Sequence, residues 1–167
     1  MPTIEQDQLA RIDTLILWQP FVERVNTALN AAAARGFRYI ATNGHRGYEE
    51  QDKLYAIGRT TGKFGHVVTK ARGGQSNHQF YCASDFALDG SDAPGLQPDY
   101  DDARYECLAQ EAVRAGLEAG FYWKFKDTPH VQAPIGKWGL SVRDLDAAFR
   151  AGGRDKVIAL LDSAARW

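Results

Sequence analysis

The first recognisable pattern in the chain is a helical repeat of apolar residues near its N-terminus. Between residues 12 and 35, apolar side chains recur at steps of three or four, which is the spacing of one buried face of an amphipathic helix. Gly36 follows as the expected C-cap. Residues 37–42 then alternate aromatic and β-branched side chains, a pattern typical of a strand. This part of the chain is therefore predicted to form a helix followed by a strand.

Further helices and strands are intermixed along the rest of the chain. The predicted helices cover residues 48–57, 100–119, 141–151 and 154–165, and the predicted strands cover 66–69, 83–88 and part of 121–132. The order lacks the regular strand–helix–strand rhythm of a parallel sheet. The pattern therefore predicts an α+β fold with a small antiparallel β-sheet packed with helices.

Composition places the chain among ordinary globular proteins. Its 167 residues suit a single domain spanning positions 1–167, and no interdomain linker or repeat interrupts them. The net charge of -1 argues against a nucleic-acid partner, since such proteins usually carry a basic surface. The two cysteines, Cys82 and Cys107, form no CxxC pair, so we expect buried, reduced thiols.

The N-terminal sequence predicts a cytoplasmic product. It carries acidic residues where a secretory signal would be basic. Its apolar run, residues 15–18, is far too short to span a membrane, so no stable membrane insertion is expected.

Two histidines beside carboxylates form the pattern that points to chemistry. His78 leads to Asp85, and Asp127 precedes His130 by three residues. Catalytic zinc usually takes three protein ligands from His, Asp or Glu and leaves a fourth position for water. Two imidazoles and one carboxylate, from His78, Asp85 and His130, would satisfy that rule.

Two further residues suit the reaction that such a metal supports. A zinc peptidase needs a general base beside the water that is not itself a ligand, and Asp127 is placed to serve. Arg46 is the best candidate to stabilise an oxyanion or to grip a substrate carboxylate. Arg46 has an alternative role, an ion pair with Glu49 or Glu50.

Each of these residues taken alone also has a structural interpretation. A lone histidine is more often a hydrogen-bonded structural residue, and we assign such roles to His45 and His66. Cys82 is a chemically suitable zinc ligand, but it alternates away from Asp85 along the predicted strand. The aromatic side chains of Tyr122, Trp123 and Phe125 could line a cleft, although alternating aromatics more often belong to a core.

The stretch SNHQFYCASDFAL resembles the zinc D,D- and L,D-peptidases of the cell-wall carboxypeptidase group, the VanY-like peptidases. Their signature is S-x-H-x-x-G-x-A-x-D, and Ser76, His78, Ala83 and Asp85 match it in register. The signature glycine is replaced here by Tyr81, which puts the local turn geometry in question. We expect the loop to adjust, and residues 78–81 to form part of a substrate groove wall.

Two other segments extend the resemblance in the same order along the chain. DTPHVQ is similar to the second half of the signature, with Asp127 in the catalytic position and His130 as the third ligand. HRGYEEQDKLYAIGRT is similar to the segment of the family that carries its arginine. The matching residues there are Arg46, Gln51, Leu54, Tyr55, Gly58 and Arg59.

The resemblance implies a hedgehog/DD-peptidase-like fold, a bound Zn²⁺, and a peptidoglycan stem peptide as substrate. It also implies substrate-binding roles for Ser76 and Gln51, although Ser76 could simply end a loop. Within the group, the Q-x-x-L-Y-x-x-G-R-T and D-x-P-H segments look most like L-alanyl-D-glutamate endopeptidases of phage endolysins and bacterial autolysins. The chain would then be a monomeric endolysin without a separate wall-binding domain, released to the cell wall by a holin.

Two alternatives remain open. A D-alanyl-D-alanine carboxypeptidase or dipeptidase would use the same site on a different bond. A non-catalytic zinc-containing module that binds peptidoglycan or a protein would keep the fold without the reaction, as the hedgehog signalling domain does. Asp127 and Arg46 argue against the second alternative, because a binding module needs no general base.

Overall fold

A computed structural model of the chain describes residues 16–90, 98–99 and 101–167. The helices in this part are α1 Gln19–Ala34, α2 Tyr48–Ala56, α3 Glu106–Arg114 and α4 Val142–Ala164. The strands are β1 Tyr39–Asn43, β2 Ala83–Asp89, β3 Pro98–Asp99, β4 Glu118–Ala119 and β5 His130–Gln132. Four short 3₁₀ turns cover Asn77–Phe80, Asp102–Tyr105, Gly120–Tyr122 and Ile135–Trp138. No helix among the described residues has both the length and the apolar content that a membrane crossing requires.

The strands form one antiparallel sheet, which confirms the predicted α+β class. The strand order is β1-β2-β5-β4, and β3 also pairs with β2. Every pairing in the sheet is antiparallel. The register of β2 with β5 sets Asp85 directly opposite His130.

The described chain divides into two compact units, of which the first contains the sheet. It comprises the described residues up to Gly44 together with Cys82–Pro134. Helices α1 and α3 and strands β2 and β5 enclose its apolar interior. The side chains around that interior are Val25, Ala28, Leu29, Phe86, Leu108, Ala112, Leu117 and Val131.

The second unit comprises His45–Tyr81 and Ile135–Trp167. Tyr48 connects its elements: its hydroxyl donates to Asp146 Oδ1 at 2.6 Å, and its ring lies 5.3 Å from that of Phe149. Helix α4 begins at a capping box between Ser141 and Asp144. It is interrupted at Gly152–Gly153, so it consists of two helices, as the sequence predicts.

Two predicted elements are wrong in part, and a third is wrong. The first helix is predicted to begin near residue 12, but α1 begins at Gln19, because Pro20 suits the first helical turn. Residues 12–15 of the predicted helix lie outside the described residues. Of the helix predicted at 100–119, only α3 is helical: a 3₁₀ turn precedes it and β4 follows it. Gly116, with φ +85°, lies just past the end of α3. Tyr100 lies outside the described residues. Residues 66–69 form no strand.

Tyr81 takes the left-handed backbone conformation that explains why the signature has glycine at this position. It has φ 66° and ψ 16° and ends the 3₁₀ turn Asn77–Phe80. This conformation costs about 1–2 kcal/mol for a residue with a Cβ. The ring offsets part of that cost, because it stacks on His45 with centroids 4.6 Å apart and lies under the guanidinium of Arg154.

The predicted groove wall of residues 78–81 is not presented at the surface. All four side chains are buried, and Tyr81 is only 4% exposed. Tyr81 therefore acts on the turn that carries His78, and its place in a substrate groove receives no support from this structure.

Two substitutions at Tyr81 should separate backbone strain from ring packing. Tyr81→Gly and Tyr81→Ala both remove the ring, but only alanine keeps the Cβ that disfavours φ +66°. We expect the glycine variant to be about 1 kcal/mol more stable in urea unfolding.

A control at an ordinary helical position should show the opposite sign. Ala147→Gly on the exposed face of α4 should lose up to about 1 kcal/mol relative to the alanine already there. Equal stability of the two Tyr81 variants would show that the left-handed conformation is not retained.

Candidate metal centre

Asp85 and His130 face each other across the adjacent strands β2 and β5. Their side chains are in direct contact, with His130 Nδ1 3.0 Å from Asp85 Oδ1. His130 is 6% exposed and the side chain of Asp85 is 17% exposed. Ser84 and Thr42 hold this part of β2 against β1, since their hydroxyls donate to Asn43 O at 2.6 Å and to Asp85 O at 3.3 Å.

His78 is positioned by its 3₁₀ turn. Ser76 caps this turn, since its Oγ accepts from the His78 backbone N–H at 3.4 Å while Gln79 Oε1 accepts from the Ser76 N–H at 3.2 Å. The carbonyl oxygen of His78 accepts from the backbone N–H of Arg46 at 3.2 Å. Both peptide groups flanking His78 are therefore bonded, which limits where its imidazole can point.

The three predicted ligands offer one ligand atom each, and these atoms all lie within 4.8 Å of one another. Two imidazoles and a carboxylate match the donor set of catalytic zinc sites, which keep one coordination position for water. Among the described residues, His78, Asp85 and His130 are therefore a group that could hold a metal ion, and their chemistry fits zinc. Their role as ligands stays a prediction.

The surroundings of His130 favour its charged form. Burial lowers the pKa of His130, but the hydrogen bond and charge of Asp85, the hydrogen bond to Gln132 and the charge of Asp127 together raise that pKa above its ordinary value. A bound metal cation would replace the proton on the imidazole, so the same negative charges that favour protonation also favour metal binding.

Asp127 is exposed and stands at the start of a tight turn that ends at His130. Its backbone N–H donates to Gly120 O at 3.0 Å, and its carbonyl accepts from the His130 N–H at 3.1 Å. Asp102 holds both neighbours of Asp127, because its carboxylate accepts from Lys126 Nζ and from Thr128 Oγ1. These bonds, first that from Lys126, lower the pKa of Asp102. The backbone on each side of the predicted base is thus anchored.

The guanidinium of Arg46 is held by the side chain of Gln51. Its Nη1 donates to Gln51 Oε1 at 3.0 Å, and Gln51 Nε2 donates to Ala71 O at 2.7 Å. Gln51 is 1% exposed. This geometry supports a role for Gln51 in orienting Arg46. Direct contacts of Gln51 and Ser76 with substrate stay predictions.

The remaining histidines and cysteines behave as expected. His45 stacks on Tyr81, and burial lowers its pKa. His66 is exposed. Cys82 and Cys107 are both buried and neither forms a disulfide. Burial raises the pKa of the Cys82 thiol to about 12, so it stays protonated at neutral pH.

The prediction that Tyr122, Trp123 and Phe125 belong to a core is wrong. They are 54%, 38% and 70% exposed, because the segment after β4 is a 3₁₀ turn and a loop that no strand pairs with. The ring of Trp123 lies 5.2 Å from that of His130. Trp123 therefore borders the predicted ligand His130.

Sequence reasoning missed four residues that support the site: Asp102, Glu118, Gly120 and Gln132. Asp102 holds the Asp127 segment, and Gly120 packs against it. Gln132 Oε1 accepts from His130 Nε2 at 3.0 Å, and Glu118 Oε2 accepts from Gln132 Nε2 at 3.0 Å. The sequence does give one signal for Gln132, since side chains two apart on a strand share a face, and Gln132 follows His130 by two.

Comparisons with known proteins identify the family and the fold of the chain. A family model described as VanY, D-alanyl-D-alanine carboxypeptidase, matches residues 15–138. The chain is 41% identical over 121 residues to the peptidoglycan L-alanyl-D-glutamate endopeptidase CwlK of Bacillus subtilis strain 168, covering 68% of this chain and 71% of that protein. The crystal structure of the L-Ala D-Glu endopeptidase ChiX of Serratia marcescens matches with a TM-score of 0.52 and 16% identity, covering 84% and 93% of the two chains. The structural likeness confirms the predicted fold.

Gly120 should tolerate no larger residue. A Cβ at this position would lie 2.5 Å from Asp127 O and 3.0 Å from Asp127 Cβ, and both atoms belong to the turn that leads to His130. We expect Gly120→Ala to lower the free energy of unfolding by about 1–3 kcal/mol in urea titrations, because the turn must shift.

Gly136 provides the matched control, because a Cβ there meets no atom within 4 Å. Gly136→Ala should change stability by no more than about 0.5 kcal/mol. Equal effects of the two substitutions would show that the turn yields without cost.

Proposed function

This chain belongs to the VanY family of D-alanyl-D-alanine carboxypeptidases, and we propose from that premise that it is a zinc-dependent endopeptidase that cleaves the L-alanyl-D-glutamate bond of peptidoglycan stem peptides. The observation that carries the proposal is the group of ligand atoms from His78, Asp85 and His130 within 4.8 Å. The choice of bond is supported by the 41% identity to an endopeptidase of that specificity.

Three protein ligands would leave the fourth coordination position of a zinc ion for a water molecule. A zinc ion held by His78, Asp85 and His130 would supply Lewis acidity and lower the pKa of bound water to about 7. The exposed carboxylate of Asp127 takes the proton of the attacking water and returns it to the leaving amine. An exposed position suits this task, because the base must reach both water and substrate.

Arg46 stabilises the negative charge that develops on the scissile carbonyl oxygen. Its guanidinium donates to Gln51, which is itself bonded to the backbone, so the arginine is held before substrate arrives. A group oriented in advance pays little reorganisation cost during the reaction. Ser76 has a structural task in capping the turn of His78, and a contact with substrate is proposed in addition.

Two other functions would use the same residues differently. A D-alanyl-D-alanine carboxypeptidase would keep the entire site and cut a different bond, and the family description names that activity. A non-catalytic binding module would need neither Asp127 nor Arg46. The bonds of Asp102 to Lys126 and Thr128, which flank Asp127, support an enzyme.

The biological setting stays a prediction. We propose that the protein is a monomeric phage endolysin, made in the cytoplasm and reaching the cell wall after a holin opens the membrane. Its partner in that setting is the stem peptide of peptidoglycan.

Substitutions should separate the base from the ligands. Asp127→Asn should lower turnover by about 10²-fold or more while retaining bound zinc, because Asp127 is not a ligand. His130→Ala should lose both zinc and activity. Zinc content by elemental analysis, together with release of wall fragments, measures the two effects.

His66→Ala is the matched histidine control, since His66 is exposed and outside the ligand group. It should retain zinc and activity. Full activity of the Asp127→Asn protein would remove the assignment of the base.

Products of digestion should identify the bond. Mass analysis of purified muropeptides after treatment should show new ends at alanine and glutamate, with no release of free D-alanine. A chelator should abolish the products, and added zinc should restore them. Release of free D-alanine would instead establish the carboxypeptidase, and binding without any product would establish the non-catalytic module.

A further inference from the structure

His130 has polar partners on both ring nitrogens. Nδ1 lies 3.0 Å from Asp85 Oδ1, and Nε2 lies 3.0 Å from Gln132 Oε1. Gln132 follows two residues later on β5, so both side chains project from the same face of the strand. The first contact belongs to the predicted metal site, whereas the second has no part in the mechanism above.

Glu118 determines which way the amide of Gln132 points. Glu118 is the cross-strand partner of Gln132 in the β4–β5 register, and its Oε2 accepts from Gln132 Nε2 at 3.0 Å. A carboxylate can only accept hydrogen bonds, so the amide nitrogen must face Glu118. The amide oxygen must then face His130.

The amide oxygen in turn determines the position of the imidazole hydrogen. An oxygen acceptor requires that Nε2 of His130 carry the hydrogen, and a neutral imidazole has only one N–H. Without a metal, Nδ1 carries a second hydrogen and donates it to Asp85 Oδ1. When a metal replaces that proton, Nδ1 is left with its lone pair on the side of Asp85. We propose that Gln132, oriented by Glu118, is a positioning residue that fixes the His130 tautomer and presents Nδ1 to the metal.

This inference rests on the proposed function, because it requires that a metal bind at His78, Asp85 and His130. The burial of His130 strengthens it, since a buried imidazole has little access to water that could replace the glutamine. Outer partners of this kind usually change metal affinity by about 10–100-fold. The negative charge of Glu118 acts through the amide to make the imidazole a stronger ligand.

The test uses Gln132→Leu, which removes both hydrogen bonds while keeping a side chain of similar size. Zinc affinity, measured by competition with a chromophoric chelator, should fall by about 10–100-fold. Nitrogen-15 NMR of the imidazole should show a hydrogen on Nε2 of His130 in the wild-type protein, both with and without zinc. This Nε2 hydrogen should exchange faster with water in the variant.

A rescue distinguishes positioning from simple loss of structure. In the double variant Glu118→Gln with Gln132→Glu, the donor and acceptor change places, and a carboxylate oxygen still accepts from Nε2. Zinc affinity should return to within about threefold of wild type, whereas Gln132→Glu alone places two carboxylates together and should not recover. Gln110→Leu on α3 is the control for the chemical change, because Gln110 bonds Arg35 and Glu106 instead of a predicted ligand.

The outcomes separate this inference from the proposed function. Wild-type zinc affinity in Gln132→Leu, or a wild-type His130 without a hydrogen on Nε2, would overturn the positioning role. A wild-type protein that binds zinc and shows the expected NMR spectrum, but cleaves no muropeptide, would refute the peptidase alone. A wild-type protein that takes up no zinc would overturn both.

Discussion

The register between β2 and β5 is the constraint on which the candidate site depends. It sets Asp85 opposite His130, and their side chains meet at 3.0 Å. A slip of one residue would turn one of the two side chains to the other face of the sheet and separate them. The apolar interior under these strands includes Phe86 and Val131, each next to a predicted ligand along its strand. Core packing and ligand placement are therefore set by the same register.

Tyr81 shows how a departure from the family signature can leave the site intact. The position requires a left-handed backbone whichever residue occupies it, because the 3₁₀ turn must end before β2 begins. Glycine meets that requirement without strain, and tyrosine meets it with the help of His45 and Arg154. Packing of the Tyr81 ring thus takes the place of the conformational freedom that glycine would provide. His78 still lies on a capped turn.

The sequence predicted the parts of the structure that have a local signature. The helix predicted from the periodicity of α1 and the strand predicted at β2 are both present in the structure. The pattern of His78, Asp85 and His130 in the sequence identified a group that could hold a metal ion. The features that the sequence does not predict depend on the pairing between strands. Strand β4 has only two residues, too few to show a period, and the helix predicted at 100–119 includes both of them. The link from Glu118 to Gln132 exists only through that pairing, and it was missed with the strand.

The two bonds that Asp102 makes to Lys126 and Thr128 affect how sequence variation in such enzymes is interpreted. Asp102 bonds the side chains of the two residues that flank Asp127, so it acts on the candidate site through the segment that carries the proposed base. A mutational scan scored only by activity would rank substitutions of Asp102 together with substitutions of the proposed ligands and the proposed base. Separate assays of metal occupancy and of folding would be needed to show that Asp102 has a structural role.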